Sequence, residues 1–290
     1  MIWQQIFNAV TLGANYALVA VGYTLVFGVL RVLNLAHGEM LTIGAFSAVV
    51  VSQLLGESLL LALVVGAASA GLVGALIVEP LTIRPVIHRS QLAPLMTTIG
   101  LSILLVNLMA AIFGPSQTLF PSLLGSETYQ VGPVVMTSAY LLNLAIAVVL
   151  FAALGVFLYY TSMGRAIRAV AENPEVAEVL GVNTRMVRTL TVTLASAVGG
   201  VAGVLIAASV GAITPFSGMV YGLKGLVVVI IGGMASPLGA VVAAMGLAAI
   251  EVWSVSYFEA AGRHLIPLLL ICAVLLLRPA GLFSVMGRKG

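Results

Sequence analysis

The chain has 290 residues, of which 61% are hydrophobic and 7% charged, and a mean hydropathy of +1.20. Soluble domains carry about 25% charged and about 45–50% apolar residues, and 12 Lys and Arg with 9 acids, all of them Glu, cannot cover a water-facing globule. The chain is therefore a polytopic membrane protein, and its net charge of +3 bears on topology and gives no sign of nucleic acid. The apolar runs are long and continuous, unlike the alternating strands of a β-barrel. At about 20 residues per crossing, the length holds roughly eight to ten spans and no sizeable soluble domain. The expected fold is all-α, a single domain over 1–290 with about eight or nine transmembrane helices, some short or broken.

Charges punctuate the spans. Residues 1–30 carry none, which predicts a first helix over 6–30. The start MIWQQIF lacks the basic residues of a secretory signal, so this span is expected to be retained. A second apolar stretch, 34–55, is interrupted early by His37, Gly38 and Glu39, and a third lies between Glu57 and Glu79. The third is rich in Gly, Ala and Ser, which let membrane helices pack closely. A polar turn with Arg84, Pro85, His88 and Arg89 precedes a fourth span at 94–113. The Gly- and Pro-rich segment 114–138 is expected to be a long external or re-entrant loop. A fifth span follows at 139–160, and then the most polar stretch, 161–188. Beyond it lie a sixth span at 189–212, a short run at 222–235, an ordinary one at 237–253 and a short one at 265–277 that holds Cys272. With one cysteine, no intrachain disulfide forms.

Cytoplasmic loops collect Lys and Arg. The Arg84–Arg89 turn, the loop with Arg165, Arg168, Arg185 and Arg188, and the C-terminus with Arg278, Arg288 and Lys289 are separated by even numbers of spans, so all three fit inside. The 114–138 loop and the N-terminus then face outside.

Within 161–188, Asn173 followed by Pro174 reads as a helix start, because Asn caps free amides and Pro suits the first helical position. Glu175 and Glu178 sit where the helix dipole favours acids, and Gly181 is placed to stop the helix in the left-handed conformation. Asn183 or Thr184 would cap the next one. The expectation is a short, rigid, capped helix over 173–180, against the plainer reading of a solvated loop.

Glu39, beside Asn34 and His37, is an acid inside an apolar segment, where a charge is expensive and faces a cavity or a partner. The competing reading has Asn34 capping an interfacial helix, with Glu39 wetted in its first turn. Gly232-Gly233 with Ser236-Pro237 makes a second break, in the other half of the chain, and two such breaks point to a central path. Close packing at a short turn explains the glycines almost as well. Lys224 reads as a cation snorkelling to an interface, and His88 and His264 as ordinary span-end residues. No spacing suits a metal site, no G-x-S-x-G elbow occurs, and without a G-x-x-x-x-G-K-[ST] loop any nucleotide belongs to another chain.

LGANYALVAVGYTLVFGVLRVLNLAHGEMLTIGAF (12–46), EPLTIRPV (79–86), TTIGLSILLVN (97–107), the 164–188 loop and GGMASPLGAVV (232–242) follow one another along the chain. Together they closely resemble the membrane permeases of branched-chain amino acid ABC importers, and the short N-terminus is more like the LivH type than the LivM type. The resemblance implies a bacterial inner-membrane permease that transports rather than catalyses. It implies a LivM-like sister permease, two ATPase subunits that hold ATP and Mg, and a periplasmic or extracellular solute-binding protein. It also implies that 161–188 docks the ATPase. Val176, Ala177, Val179 and Leu180 are then expected in its groove, with Arg168, Glu172 and Glu175 at the rim and Asn173, Pro174 and Gly181 shaping the helix. Asn34, His37, Gly38, Glu39, Gly232 and Gly233 are expected to line the translocation path. Related permeases for urea and short amides share the NLAHGE block, so that substrate class stays open beside branched-chain and other neutral amino acids.

Overall fold

A computed structural model describes residues 2–255, except His88, Gln91, Ser126 and Pro133, together with Leu269. His264, Cys272, the basic C-terminus and the rest of the expected 265–277 span lie outside the described residues. The helices are α1 (Ile2–Leu30), α2 (His37–Leu55), α3 (Leu59–Val73), α4 (Ala93–Phe113), α5 (Ser138–Tyr160), α6 (Ser162–Glu172), α7 (Pro174–Val179), α8 (Thr184–Val210), α9 (Ser217–Gly232) and α10 (Pro237–Val255). Seven spans among the described residues are long and apolar enough to cross a membrane, and α9 is a shorter apolar helix. The chain is thus an all-α, multi-pass membrane protein.

α1, α2 and α8 are largely buried, whereas α4 and α5 stand at the rim. α5 is the most apolar span and the least buried. In water that order would be destabilising; in lipid the tails solvate apolar side chains, and packing selects helices whose surfaces approach closely. Small residues provide the approach. A Cβ on Gly200 would overlap the carbonyl of Gly66, and one on Gly203 would overlap the carbonyl of Leu41. α8 therefore lies in backbone contact with α2 and α3, at the small-residue stripe expected for the third span.

That third span runs further than its charges suggest. α3 continues into a π-helical segment, Gly74–Ile83, which carries Glu79 and Pro80 inside it. Proline has no N–H to donate and crowds the preceding turn, and the wider π turn accommodates it; the Arg84 amide donates to the Glu79 carbonyl at 2.8 Å. The 114–138 loop is more ordered than expected. It holds β1 (Thr118–Leu119) and an antiparallel hairpin of β2 (Thr128–Val131) and β3 (Val134–Thr137). β1 pairs with β4 (Ala212–Ile213), in register Thr118↔Ile213 and Leu119↔Ala212.

These contacts sort the loops to two ends of the bundle. At one end, β1 meets the segment after α8, and Gln4 exchanges hydrogen bonds with the Val135 backbone at 3.0 and 2.8 Å. At the other, Arg31 donates to the Ala171 carbonyl and Arg84 to Thr189 Oγ1, both at 3.2 Å. The two described basic loops thus share an end, opposite the N-terminus and the 114–138 loop. On a Cys272→Ser background, Glu175→Cys is expected to be closed to an impermeant maleimide in intact cells and open in inverted vesicles, and Gln130→Cys the reverse. Labelling of the Glu175 position from outside would overturn this topology.

Candidate functional site

The break between α1 and α2 is built by short-range bonds. α1 ends at Leu30, and Arg31 takes a left-handed conformation with φ 57°. Asn34 Oδ1 then accepts from the Ala36 amide at 3.1 Å, and the Leu35 amide donates to Thr98 Oγ1 of α4 at 3.2 Å. A side chain bonding its own backbone two residues on is the usual way Asn turns a chain. α2 starts at His37, which puts Glu39 in its first turn. Glu39 is nonetheless 1% exposed, so it is not wetted by headgroups.

Glycines let α9 reach this turn. A Cβ on Gly38 would overlap the Gly218 carbonyl and crowd Gly222, and the Gly218 amide donates to Thr42 Oγ1 at 2.8 Å. Ser102 of α4 donates to Glu39 Oε1 at 3.0 Å, while Oε2 is buried with no hydrogen-bond partner among the described residues. His37 fits between Gly22 and Gly199, its ring edge-on to Tyr23 with centroids 4.6 Å apart.

A cavity of about 380 Å³ opens beside this junction, between α2, α4 and α9. Tyr23, Glu39, Ser102 and Asn107 give it polar groups, and Ile99, Ile103, Val106, Met219 and Leu223 form an apolar wall. Ile103, Met219 and Leu223 are exposed, so the mouth lies on the outer face of the single chain. The structure gathers His37, Gly38 and Glu39 with Asn34 just upstream, and it is Gly218 and Gly222 that meet them. Gly232 packs on Gly239 and Ala240, and Gly233, at φ 97°, ends α9. They lie 10 residues or more beyond Gly222, about 15 Å along a helix.

Lys224 does not snorkel. It is buried, donating to Glu251 Oε1 of α10 and to the Tyr16 hydroxyl of α1, each at 2.7 Å, while Tyr16 donates to Glu251 Oε2 at 2.7 Å. Glu251 is not among the residues expected above, yet an acid and a base placed deep in two separate spans are themselves a signal, since charges at that depth pair. Glu79, also buried, pairs with Arg84, which caps the end of its π-helical segment.

In the polar loop, Asn173 Oδ1 accepts from the Glu175 and Val176 amides at 3.0 Å each, Gly181 sits at φ 84°, and Asn183 caps α8 through the Met186 amide at 3.0 Å. The helix so capped is α7, Pro174–Val179. The loop also holds α6, an amphipathic helix capped by Thr161, which accepts from the Gly164 amide at 3.0 Å. Val176, Val179, Leu180, Glu172 and Glu175 are exposed, but Ala177 is 2% exposed and packs inward. Arg168 donates to the Leu158 carbonyl and lies over the Tyr159 ring, 5.1 Å from its centroid.

A bundle of apolar helices around a buried polar junction, with a capped polar elbow at one end, is a multi-pass membrane protein. Residues 5–277 match the family described as branched-chain amino acid transport system / permease component, and the chain belongs to that family. It is 35% identical to the high-affinity branched-chain amino acid transport system permease protein LivH of Salmonella typhimurium, over 97% of this chain and 95% of that protein. It is 34% identical to LivH of Escherichia coli K12 over the same shares, and 30% identical to BraD of Pseudomonas aeruginosa, again over 97% and 95%. These relatives are transport permease proteins. No solved structure matches the chain.

Removing one member of a buried ion pair strands the other charge, at about 3–5 kcal/mol, whereas replacing both by apolar groups is often close to neutral. Glu251→Leu and Lys224→Met are each expected to destabilise the purified protein by about that amount in thermal unfolding. The Lys224→Met, Glu251→Leu double variant is expected to recover most of the loss. A double variant as unstable as the sum of the two singles would remove the ion pair from the account.

Proposed function

We propose that this chain is the permease subunit of an ATP-driven importer in a bacterial inner membrane, carrying branched-chain or other neutral amino acids. In this reading it forms the translocation path with a sister permease and takes solute from an external binding protein. Two ATPase subunits at the basic end hold the ATP and Mg²⁺. Asn34, His37, Gly38 and Glu39, with Gly218 and Gly222, belong to the path, and the α2–α4–α9 cavity is its part within this chain. Gly232 and Gly233 would line the same route further along α9. Helix breaks leave backbone polar groups that must face protein or a cavity rather than lipid, which suits a path for a polar solute.

The observation that carries the reading is the α6–α7 elbow. ATP-driven closure of partner subunits moves membrane helices only through a stiff element tied to the bundle, and α7 is capped at Asn173, stopped at Gly181 and anchored inward by Ala177. Its outward residues Val176, Val179 and Leu180 are 54%, 87% and 77% exposed, an apolar surface for an ATPase groove, with Glu172 and Glu175 on the rim. Arg168, exposed as well, would join that rim, while Pro174 and the buried Ala177 hold the elbow in shape.

Burying apolar surface contributes about 25 cal/mol per Å², and a carboxylate in that groove opposes docking. Val179→Asp and Leu180→Asp are expected to leave the permease in the membrane but to cut solute uptake at least tenfold in proteoliposomes containing all partners. ATPase subunits would dissociate or hydrolyse without transport. Wild-type uptake together with wild-type binding-protein-stimulated hydrolysis in both variants would place docking elsewhere.

A further inference from the structure

Three spans reach the basic end of the bundle side by side. α1 stops at Leu30, the third span stops at Ile83, and α8 starts at Thr184. Between these ends lies another cavity, of about 350 Å³. Glu79, Arg84, Arg185 and Arg188 line it, and Leu30 and Ile83 give it an apolar side. Three cations thus share one space with a single acid.

These charges do not cancel. The acid is taken by Arg84, whose Nε donates to Glu79 Oε1 at 2.9 Å and whose Nη2 donates to Thr189 Oγ1 at 3.2 Å. That guanidinium is therefore held in place at the wall. The side chains of Arg185 and Arg188 have neither a hydrogen bond nor an ion pair among the described residues. They stand three residues apart at the start of α8, and its first turn contains no acid. A helix N-terminus disfavours cations, and like charges that are neighbours on a helix face repel. Two arginines at that end leave a positive charge that an anion in the cavity would offset.

We propose that this cavity binds a phosphate group, that of an anionic phospholipid headgroup, through Arg185 and Arg188, with Arg84 set beside them by Glu79. Guanidinium forks match phosphate oxygens two at a time. Height selects the lipid over a soluble anion. The spans end at the cavity, and phospholipid phosphates lie just beyond the hydrocarbon core. Basic pockets between membrane helices recognise such headgroups, and Leu30 and Ile83 offer an apolar contact to the glycerol end. The outward residues of α7 assigned above to the ATPase do not line this cavity. The proposal needs only a chain that spans a bilayer, so it stands apart from the importer reading.

The test uses the full chain in vesicles on a Cys272→Ser background, with Thr184→Cys, and separately Ile87→Cys, placing a thiol in the cavity. Neutral methyl methanethiosulfonate, whose approach does not depend on surface charge, reads how open each thiol is. Replacing part of the phosphatidylcholine by phosphatidylglycerol is expected to slow modification about tenfold, as for a site occupied most of the time. Adding Arg185→Gln with Arg188→Gln is expected to abolish that protection, and Arg185→Lys with Arg188→Lys to keep part of it. Arg89→Gln with Arg165→Gln, which removes the same charge elsewhere at the basic end, is expected to leave it intact. Protection lost equally in this control would reduce the effect to diffuse surface charge and overturn the proposal. Inorganic phosphate in pure phosphatidylcholine vesicles is the arm for a soluble anion. Protection there, with none from phosphatidylglycerol, would overturn the lipid assignment. Equal rates in all vesicles at both thiol positions would overturn the site. Protection that appears only when partner subunits are added would assign the arginines to a protein carboxylate and overturn it as well.

Discussion

Backbone-to-backbone contact at glycines holds this molecule together. Gly200 and Gly203 bring α8 against Gly66 and Leu41, and Gly38 meets Gly218 and Gly222 with too little room for a Cβ on either side. In lipid, apolar side chains gain nothing by leaving the solvent, so association depends on dispersion and on polar groups brought within bonding range. The polar chemistry of the chain depends on these contacts. Because α9 touches α2, the Gly218 amide reaches Thr42, and Glu39 is covered by α9 instead of opening to the bilayer.

The same constraint explains the distribution of charge. Backbone and side-chain polar groups within a membrane must be answered internally, and the structure does so by pairing Glu79 with Arg84 and by closing Lys224, Glu251 and Tyr16 into a ring of hydrogen bonds. That ring ties α9 and α10 to α1. It fixes the far side of α9 at Lys224 while Gly218 and Gly222 hold the near side against α2. A buried pair of this kind contributes little net stability against apolar alternatives; its value here is in fixing how α9 sits.

Much of this was legible in the sequence, and what was not has a physical reason. The spans are legible because runs of about 20 apolar residues have few other uses. The caps at Asn173, Gly181 and Asn183 were readable because a cap is a local bond between neighbours. The break at 34–39 was readable from charge in an apolar run. The ion pair of Lys224 was missed because its partner is 27 residues away in another span, and a lone Lys near a run's end also suits snorkelling. The adjacent glycines at 232 and 233 read as a helix break, and they do end α9. The glycines that touch the 34–39 turn are Gly218 and Gly222, four apart on one helix face, a spacing that marks helix contact. Neither α6 nor the inward turn of Ala177 was foreseen, because both depend on which face of the elbow meets the bundle.

The central claim is that the α2–α4–α9 cavity opens onto a path shared with a second permease. A structure of the assembled importer in a lipid nanodisc tests it most directly. The account predicts that the exposed residues at the cavity mouth, Ile103, Met219 and Leu223, face the sister permease across the central axis, with Glu39 beside a continuous polar channel. Density for acyl chains filling the cavity, with the sister permease bound on another face, would contradict it.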